Sequence, residues 1–216
     1  MNIRLASKSE QTRLYEICVL TGESGKDATG VFQQPDLLGD IWVGPYLEIS
    51  PEHCFVLEGV DGNPLGYCIG TLDSAAFEKT AAETWWPDRQ AQYVIPDIKM
   101  KESWNRDEHL THLIHNPLQS PSEFLVDFPS HAHINLVADA QGKGWGKKLI
   151  ETMEKSLRDA GSTGVHLILS NKNQNALAFY QAIGFKIIFD CLDDFIGFDN
   201  VSDERIKEEK IFDEKN

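Results

Sequence analysis

"VADAQGKGWGKKLIETM", Val137 to Met153, places Gly142, Gly144 and Gly146 around Lys143 and Trp145 and passes at once into a helical pattern. Backbone N–H groups in the first turn of a helix lack intrahelical partners, and the helix dipole adds positive potential there. Glycines let the backbone approach a bulky diphosphate. Lys143, Lys147 and Lys148 add cationic charge at the same place. The stretch therefore reads as an anion cradle that opens a helix, and its spacing decides the kind. A Walker loop needs glycine where Gln141 stands, and Ser or Thr where Lys148 stands. A dinucleotide fingerprint, G-x-G-x-x-G, fails because Gly146 comes one residue early. The pattern that fits is [RQ]-x-x-G-x-[GA], met by Gln141, Gly144 and Gly146.

Outward from the cradle, secondary structure alternates. His131 to Ala138 reads as the strand that feeds it. Gly144 to Ala160 is a helix in which Trp145, Leu149, Met153 and Leu157 recur every four residues, with Ile150 beside them and Gly161 as the stop. Val165 to Leu169 is a short buried strand, Gln174 to Ile183 a helix ended by Gly184, and Phe185 to Phe189 a further strand. Toward the N-terminus, Asn2 to Leu5 is a short strand. Ser7 and Glu10 form a capping box for a helix to about Thr21. Pro35 to Tyr46 reads as one helix. His53 to Val60 and Leu65 to Leu72 make a hairpin around the turn residues Asp61, Gly62, Asn63 and Pro64. The stretch from Asp73 to Pro129 is an insertion with one or two helices, clearest from Trp104 to His115. The order β-α-α-β-β-(insertion)-β-α-β-α-β implies one α/β domain over residues 1–216, a central mixed sheet flanked by helices.

Composition excludes several classes. With 34 Asp and Glu against 20 Lys and Arg, the net charge is −14, which repels phosphate backbones and argues against nucleic acid as a partner. No apolar run approaches the ~20 residues of a membrane span, and no signal-peptide pattern is present, so the expected place is the cytosol or nucleus, as monomer or homodimer. Cys18, Cys54, Cys68 and Cys191 are scattered and read as reduced core thiols. His109, His112 and His115 lie three apart, whereas zinc helices use i and i+4, so no metal is expected. The acid-rich stretch from about 200 to 216 reads as a solvated tail.

A second motif narrows the cradle. "NQNALAFYQAIGF", Asn173 to Phe185, matches N-x-x-A-x-x-[FL]-Y-x-x-x-G-F through Asn173, Ala176, Phe179, Tyr180, Gly184 and Phe185. Together the two motifs resemble the GNAT (Gcn5-related N-acetyltransferase) superfamily. Element order extends the resemblance over the whole chain; the specific motifs lie between His131 and Phe185. "FPSHAHINLVADAQGKGWG", "THLIHNPLQSPSEFLVDFP" and "PLGYCIGTLD" further look like a subgroup that includes the acetyltransferase-like C-terminal domain of O-GlcNAcases, whose members often carry Asp where Asn135 stands here. The resemblance implies a GNAT fold, mostly antiparallel, with the insertion before the fourth strand, and acetyl-CoA as cofactor. It implies that Gln141, Gly142, Lys143, Gly144, Trp145, Gly146 and Lys147 hold the pyrophosphate. Backbone around Leu136, Val137 and Ala138 would pair with the pantetheine arm, and Asn173, Ala176 and Phe179 would lie along it.

Acetyl transfer to an amine needs a neutral nucleophile, a donor for the carbonyl and a proton for the leaving thiolate. Tyr180 is the general acid the resemblance implies. Its ring also shares a helical face with Ala176, Leu177 and Ile183, which core packing alone would explain. Asn135 can position an amine or a water but cannot usefully take a proton. His131, His133 and Asn135 share one side of their strand, which makes His133 the nearest base of suitable intrinsic pKa; a water chain to solvent is the alternative. The acceptor is expected to be a small-molecule or peptide amine, and the acidic surface favours a cationic one. A silent CoA-binding or interaction module is the reading from another class, motivated by Asn135. The acceptor's recognition would lie in Gly22 to Gly30 and in the insertion, where Trp85 and Trp86 read as packing or as an aromatic wall.

Overall fold

Strand side chains alternate between faces, and in the central strands both sets are apolar, so this sheet must be covered on both sides. The computed structural model describes residues 1–122, 125–170, 173–196 and 202–211. Its strands are β1 (Asn2–Leu5), β2 (Cys54–Glu58), β3 (Pro64–Thr71), β4 (Ser130–Leu136), β5 (Gly164–Ser170), β6 (Lys186–Ile196) and β7 (Ser202–Ile211). They form one sheet in the order β1-β2-β3-β4-β5-β7-β6, antiparallel throughout except between β4 and β5. Val56, Tyr67 and Ile69 face one layer, made by α1 (Gln11–Leu20), α2 (Asp36–Trp42), α3 (Gly44–Ile49), α4 (Ser74–Thr84) and α6 (Arg106–His115). Leu57, Cys68, Val165 and Leu167 face the other, made by α7 (Trp145–Asp159) and α8 (Gln174–Ala182). In α7 the repeat read from sequence is the packed face: Leu149, Ile150, Met153 and Leu157 are all buried. Cys18, Cys54 and Cys68 are buried free thiols, as expected; the Cys191 side chain lies outside what is described.

Three expectations are corrected. The helix expected over Pro35 to Tyr46 divides at Val43 (φ −129°, ψ −52°) into α2 and α3. Gly44 lies so close to Trp85 that an added Cβ would sit 2.3 Å from the indole ring, and Pro45 has no N–H to continue the helix. Among its described residues the insertion carries three α-helices rather than one or two: α4, α5 (Trp86–Gln92) and α6, with a 3-10 segment at Ile98–Ser103. The chain also does not leave the sheet after Phe189. β6 runs on to Ile196, and β7 returns between β5 and β6, in register from Gly164↔Ile211 to Ser170↔Arg205. Its acid-rich composition hid it, because ladder hydrogen bonds come from the backbone and need no apolar side chain. For 197–201 and 212–216 the tail reading lies outside the described residues.

A buried carboxylate clamps the insertion to the core. Asp40 is 5% exposed. Tyr15 Oη donates to its Oδ1 at 2.9 Å, Tyr93 Oη donates to its Oδ2 at 2.7 Å, and Arg89 Nε lies 3.1 Å away. Trp85 Nε1 donates to the Asp40 carbonyl at 2.9 Å, and the Arg89 guanidinium stacks 4.3 Å over the Trp85 ring. Burial and the Asp40 charge push the Tyr15 hydroxyl far above its ordinary pKa, so it stays a donor. Among the described residues no helix is long and apolar enough to cross a membrane. Replacing Asp40 by Ala would strand two buried hydroxyls and a guanidinium, at a cost of about 3–5 kcal/mol. Urea denaturation of Asp40→Ala checks this, and a loss under about 1 kcal/mol would contradict the clamp.

Candidate active site

The site begins where two strands part. Between β4 and β5 only Ser130↔Val165 and His131↔His166 are in register among the described residues. Beyond His131, β4 stays paired with β3 up to Gly66↔Leu136, while β5 has turned away. Val137 N–H donates to Leu65 O at 2.9 Å, so Val137 belongs to the β3 side. Main-chain groups alternate along an antiparallel strand. Those of Ile134 and Leu136 therefore point into the space that β5 has vacated. The side chain of Gln141 reaches back to this edge and donates to Leu136 O at 2.8 Å. Ala138 lies past the strand, in the 3-10 turn Ala138–Ala140, so it is off the open edge. Ile134, absent from the sequence reading, is on it; the two-residue alternation could have found it once the pairing of Val137 was known.

At the end of the gap stands the cradle. Gly142 (φ 68°) and Gly144 (φ 78°) are left-handed, a conformation that glycine adopts without strain, and a Cβ on either would project into open space. Gly144 is the N-cap of α7 and supplies no capping side chain, and the first turn holds no acidic residue. Its N–H groups thus face outward with the positive end of the dipole. Gly146 answers a different need: its Cβ position lies 3.2 Å from the Phe179 ring. Lys143 Nζ donates to Asp139 O at 2.7 Å, Lys147 is exposed beside Glu151 at 3.7 Å, and Lys148 Nζ sits 4.4 Å over the half-buried Trp145 ring.

A cleft of about 980 Å³ joins these parts. Gln141, Gly142, Gly144, Gly146 and Lys147 line its cradle end, and Asn173, Ala176, Phe179 and Tyr180 line the α8 wall. Asn173 is the N-cap of α8, and its Oδ1 accepts from Ala176 N at 3.2 Å. Tyr180 is 7% exposed, between Phe179 (5.2 Å) and Phe185 (5.4 Å). His133 and Asn135 open on the same cleft from β4. Asn135 Nδ2 donates to Tyr67 Oη at 2.7 Å and lies 3.5 Å from His133 Nε2, while Oδ1 takes no hydrogen bond from the described residues. His133 stacks on Trp42 at 5.9 Å.

The neighbouring histidine has a fixed tautomer. Ser74 Oγ donates its one proton to Pro129 O at 2.8 Å, so it accepts from His131 Nδ1 at 2.7 Å. His131 Nε2 then accepts from Tyr46 Oη, also at 2.7 Å. Burial pushes the pKa of His131 down to about 3 and that of His133 down to about 4, with the neighbouring His166 and His133 adding to the effect on His131. Both rings are neutral at physiological pH, and His133 is a weaker base than its intrinsic value implies. The other histidines diverge: His115 Nε2 lies 2.7 Å from Tyr93 O, and His109 and His112 pack on Trp104. Of the tryptophan pair, Trp85 packs inside and Trp86 lines the cleft.

A mixed sheet whose parallel pair splays beside a glycine-opened, uncapped helix is the architecture of an acyl-CoA-binding acetyltransferase. The Acetyltransferase (GNAT) family profile matches residues 27–185, and the chain belongs to that family. It is 32% identical over 187 residues to Protein O-GlcNAcase of Rattus norvegicus and, to the same extent, of Mus musculus. That alignment covers 84% of this chain but 20% of those proteins, so the chain spans about a fifth of their length. Among solved structures, SsHAT superposes with a TM-score of 0.84 at 28% identity, covering 97% of each chain. YncA from Salmonella typhimurium, solved with its cofactor acetyl-CoA, shares the fold at a TM-score of 0.58 and 14% identity, over 99% of this chain and 95% of its own.

Two outcomes test this geometry. Gly144→Val forces a β-branched residue into a left-handed conformation, a cost of about 1–2 kcal/mol that must displace the cradle; calorimetry should show acetyl-CoA affinity reduced about tenfold or more, and unchanged affinity would contradict the assignment. The two histidines also predict acid sensitivity. Their folded pKa values lie below the unfolded 6.5, so the unfolded state binds more protons between those limits. Their contribution to stability is full above about pH 6.5 and is lost as pH falls toward 4 and then 3. The urea midpoint should fall over that window, and a midpoint independent of pH there would refute the burial of neutral rings.

Proposed function

We propose that this chain transfers an acetyl group from acetyl-CoA to a primary amine of a small molecule or peptide. One observation carries the reading: a single cleft runs from the uncapped start of α7, along the vacated edge of β4, to His133, Asn135 and Tyr180. The first turn of α7 with Gly142 and Gly144 would hold the pyrophosphate, and the main chain of Ile134 and Leu136 would pair with the pantetheine amides. When bound, acetyl-CoA supplies the activated acyl carbon.

The residues of the chain do the rest. Asn135 Oδ1 accepts a hydrogen bond from the incoming amine and orients it, since its amide nitrogen is held by Tyr67. Tyr180 gives the leaving sulfur its proton. The walls of the cleft exclude water and hold both substrates together, which lowers the barrier by proximity. The second reading, a module that binds CoA without turnover, draws on the absence of a carboxylate from the cleft face of β4 and on the low pKa of His133.

Thiol release from acetyl-CoA over a panel of amines separates the two. Turnover with at least one primary amine is expected, and acetyl-CoA binding with no turnover on any amine would favour the silent module. Tyr180→Phe should lower kcat roughly a hundredfold or more while leaving acetyl-CoA affinity intact. A variant as active as the parent would remove Tyr180 from the reaction.

A further inference from the structure

The cleft is lined by one carboxylate among the described residues, Glu78. It lies on α4, one turn beyond Ser74, the residue that fixes the His131 tautomer. Glu78 Oε1 accepts from the backbone N–H of Ser120 at 2.8 Å. Ser120 Oγ in turn lies 3.3 Å from His166 Nε2, and the His166 and His131 rings are 5.7 Å apart. Glu78, Ser120, His166, His131 and Tyr46 thus form one polar wall, continuous along β4 with His133 and Asn135. No basic side chain among the described residues pairs with Glu78, the two histidines on β4 are neutral, and the hydrogen bonds Glu78 accepts come from the backbone and side chain of Ser120. A half-buried carboxylate held by one serine, with no ion-pair partner among the described residues, is costly unless a cationic ligand completes it.

We propose that Glu78 is the acceptor-side carboxylate: it binds the substrate amine as an ammonium ion and takes its proton, so the acceptor class is a cationic alkylamine. This rests on the acetyl-transfer reading. Burial raises the pKa of Glu78, which makes its carboxylate a better proton acceptor than an exposed one. It supplies the base that His133 and Asn135 do not. Trp86 and Trp42, which line the same cleft, offer aromatic faces to the alkyl chain and its charge.

The protons balance as follows. R–NH3⁺ gives one proton to the Glu78 carboxylate, and the freed lone pair forms the N–C bond to the thioester carbonyl carbon. The C–S bond breaks, its electron pair stays on sulfur, and sulfur takes a proton from Tyr180. Nitrogen loses its second proton as the amide forms, and that proton restores Tyr180. The Glu78 proton leaves to solvent, so each turnover releases one proton.

The test compares wild type with Glu78→Gln, which keeps an acceptor for Ser120 N–H and removes the charge. Calorimetry with n-butylamine and with spermidine, in the presence of CoA, reads binding; thiol release reads turnover. Unchanged acetyl-CoA affinity and thermal unfolding confirm that the variant is folded. The expected result is that Glu78→Gln binds both amines about a hundredfold more weakly than wild type. Turnover of p-anisidine, an amine already neutral at pH 7, should be little affected. Glu78→Asp should recover part of the alkylamine binding. Binding of the ammonium probes equally by wild type and Glu78→Gln would overturn the proposal, as would wild type binding neither probe at millimolar concentration. Binding lost in Glu78→Gln without turnover in either protein would uphold the carboxylate and count against the acetyl-transfer reading alone.

Discussion

The parting of β4 from β5 is the constraint from which the site follows. A parallel pair normally continues its ladder, because an unpaired buried main-chain group costs about as much as a lost hydrogen bond. Here the ladder stops after His131↔His166, and the edge at Ile134 and Leu136 opens on a cleft. β3 holds the other side of β4 through Leu136, so the gap cannot close by a shift of β4 alone. The sheet is completed on the far side of β5 by β7 and β6, which keeps β5 anchored while it diverges. An extended ligand carrying its own amides would restore the missing pairing, and its phosphates would then fall at the start of α7.

The second theme is buried polar chemistry held neutral. His131 sits in a directed chain of hydrogen bonds from Tyr46 Oη to Pro129 O, and burial keeps its ring uncharged. The Tyr67 hydroxyl, fully buried, accepts from Asn135 and is pushed far above its ordinary pKa. Such a wall gives the cleft fixed dipoles with little charge of its own, the setting in which a single carboxylate has most effect. The Asp40 clamp acts at one remove: it fixes the insertion to α1 and α2 and so places α4 across the cleft.

How much of this was legible in the sequence follows from which signals are local. The cradle was, because φ above zero at Gly142 and Gly144 favours glycine, and the close approach of Gly146 to Phe179 favours a small residue. The amphipathic face of α7 and the capping boxes at Ser7 and Asn105 follow from short-range spacing; of these the Asn105 box alone went unread. The division of α2 from α3 was only partly legible: Pro45 is a local signal that the reading passed over, while the packing of Trp85, far along the chain, over Gly44 is not local. β7 was hidden by its charge. Glu78 carried no signal in an ordinary amphipathic helix, since its meaning comes from Ser120 and His166, which only the tertiary fold brings near. The family was reached from two motifs, whereas the acceptor side is built from long-range contacts.

The central claim is that the vacated edge of β4 is the pantetheine strand. Amide hydrogen exchange, resolved by residue with and without acetyl-CoA, tests it directly. The account predicts new protection at the N–H groups of Ile134 and Leu136 and in the first turn of α7, with Val137 N–H, already bound to Leu65, little changed. Protection confined to other segments, with Ile134 and Leu136 exchanging as fast as in the free protein, would contradict it.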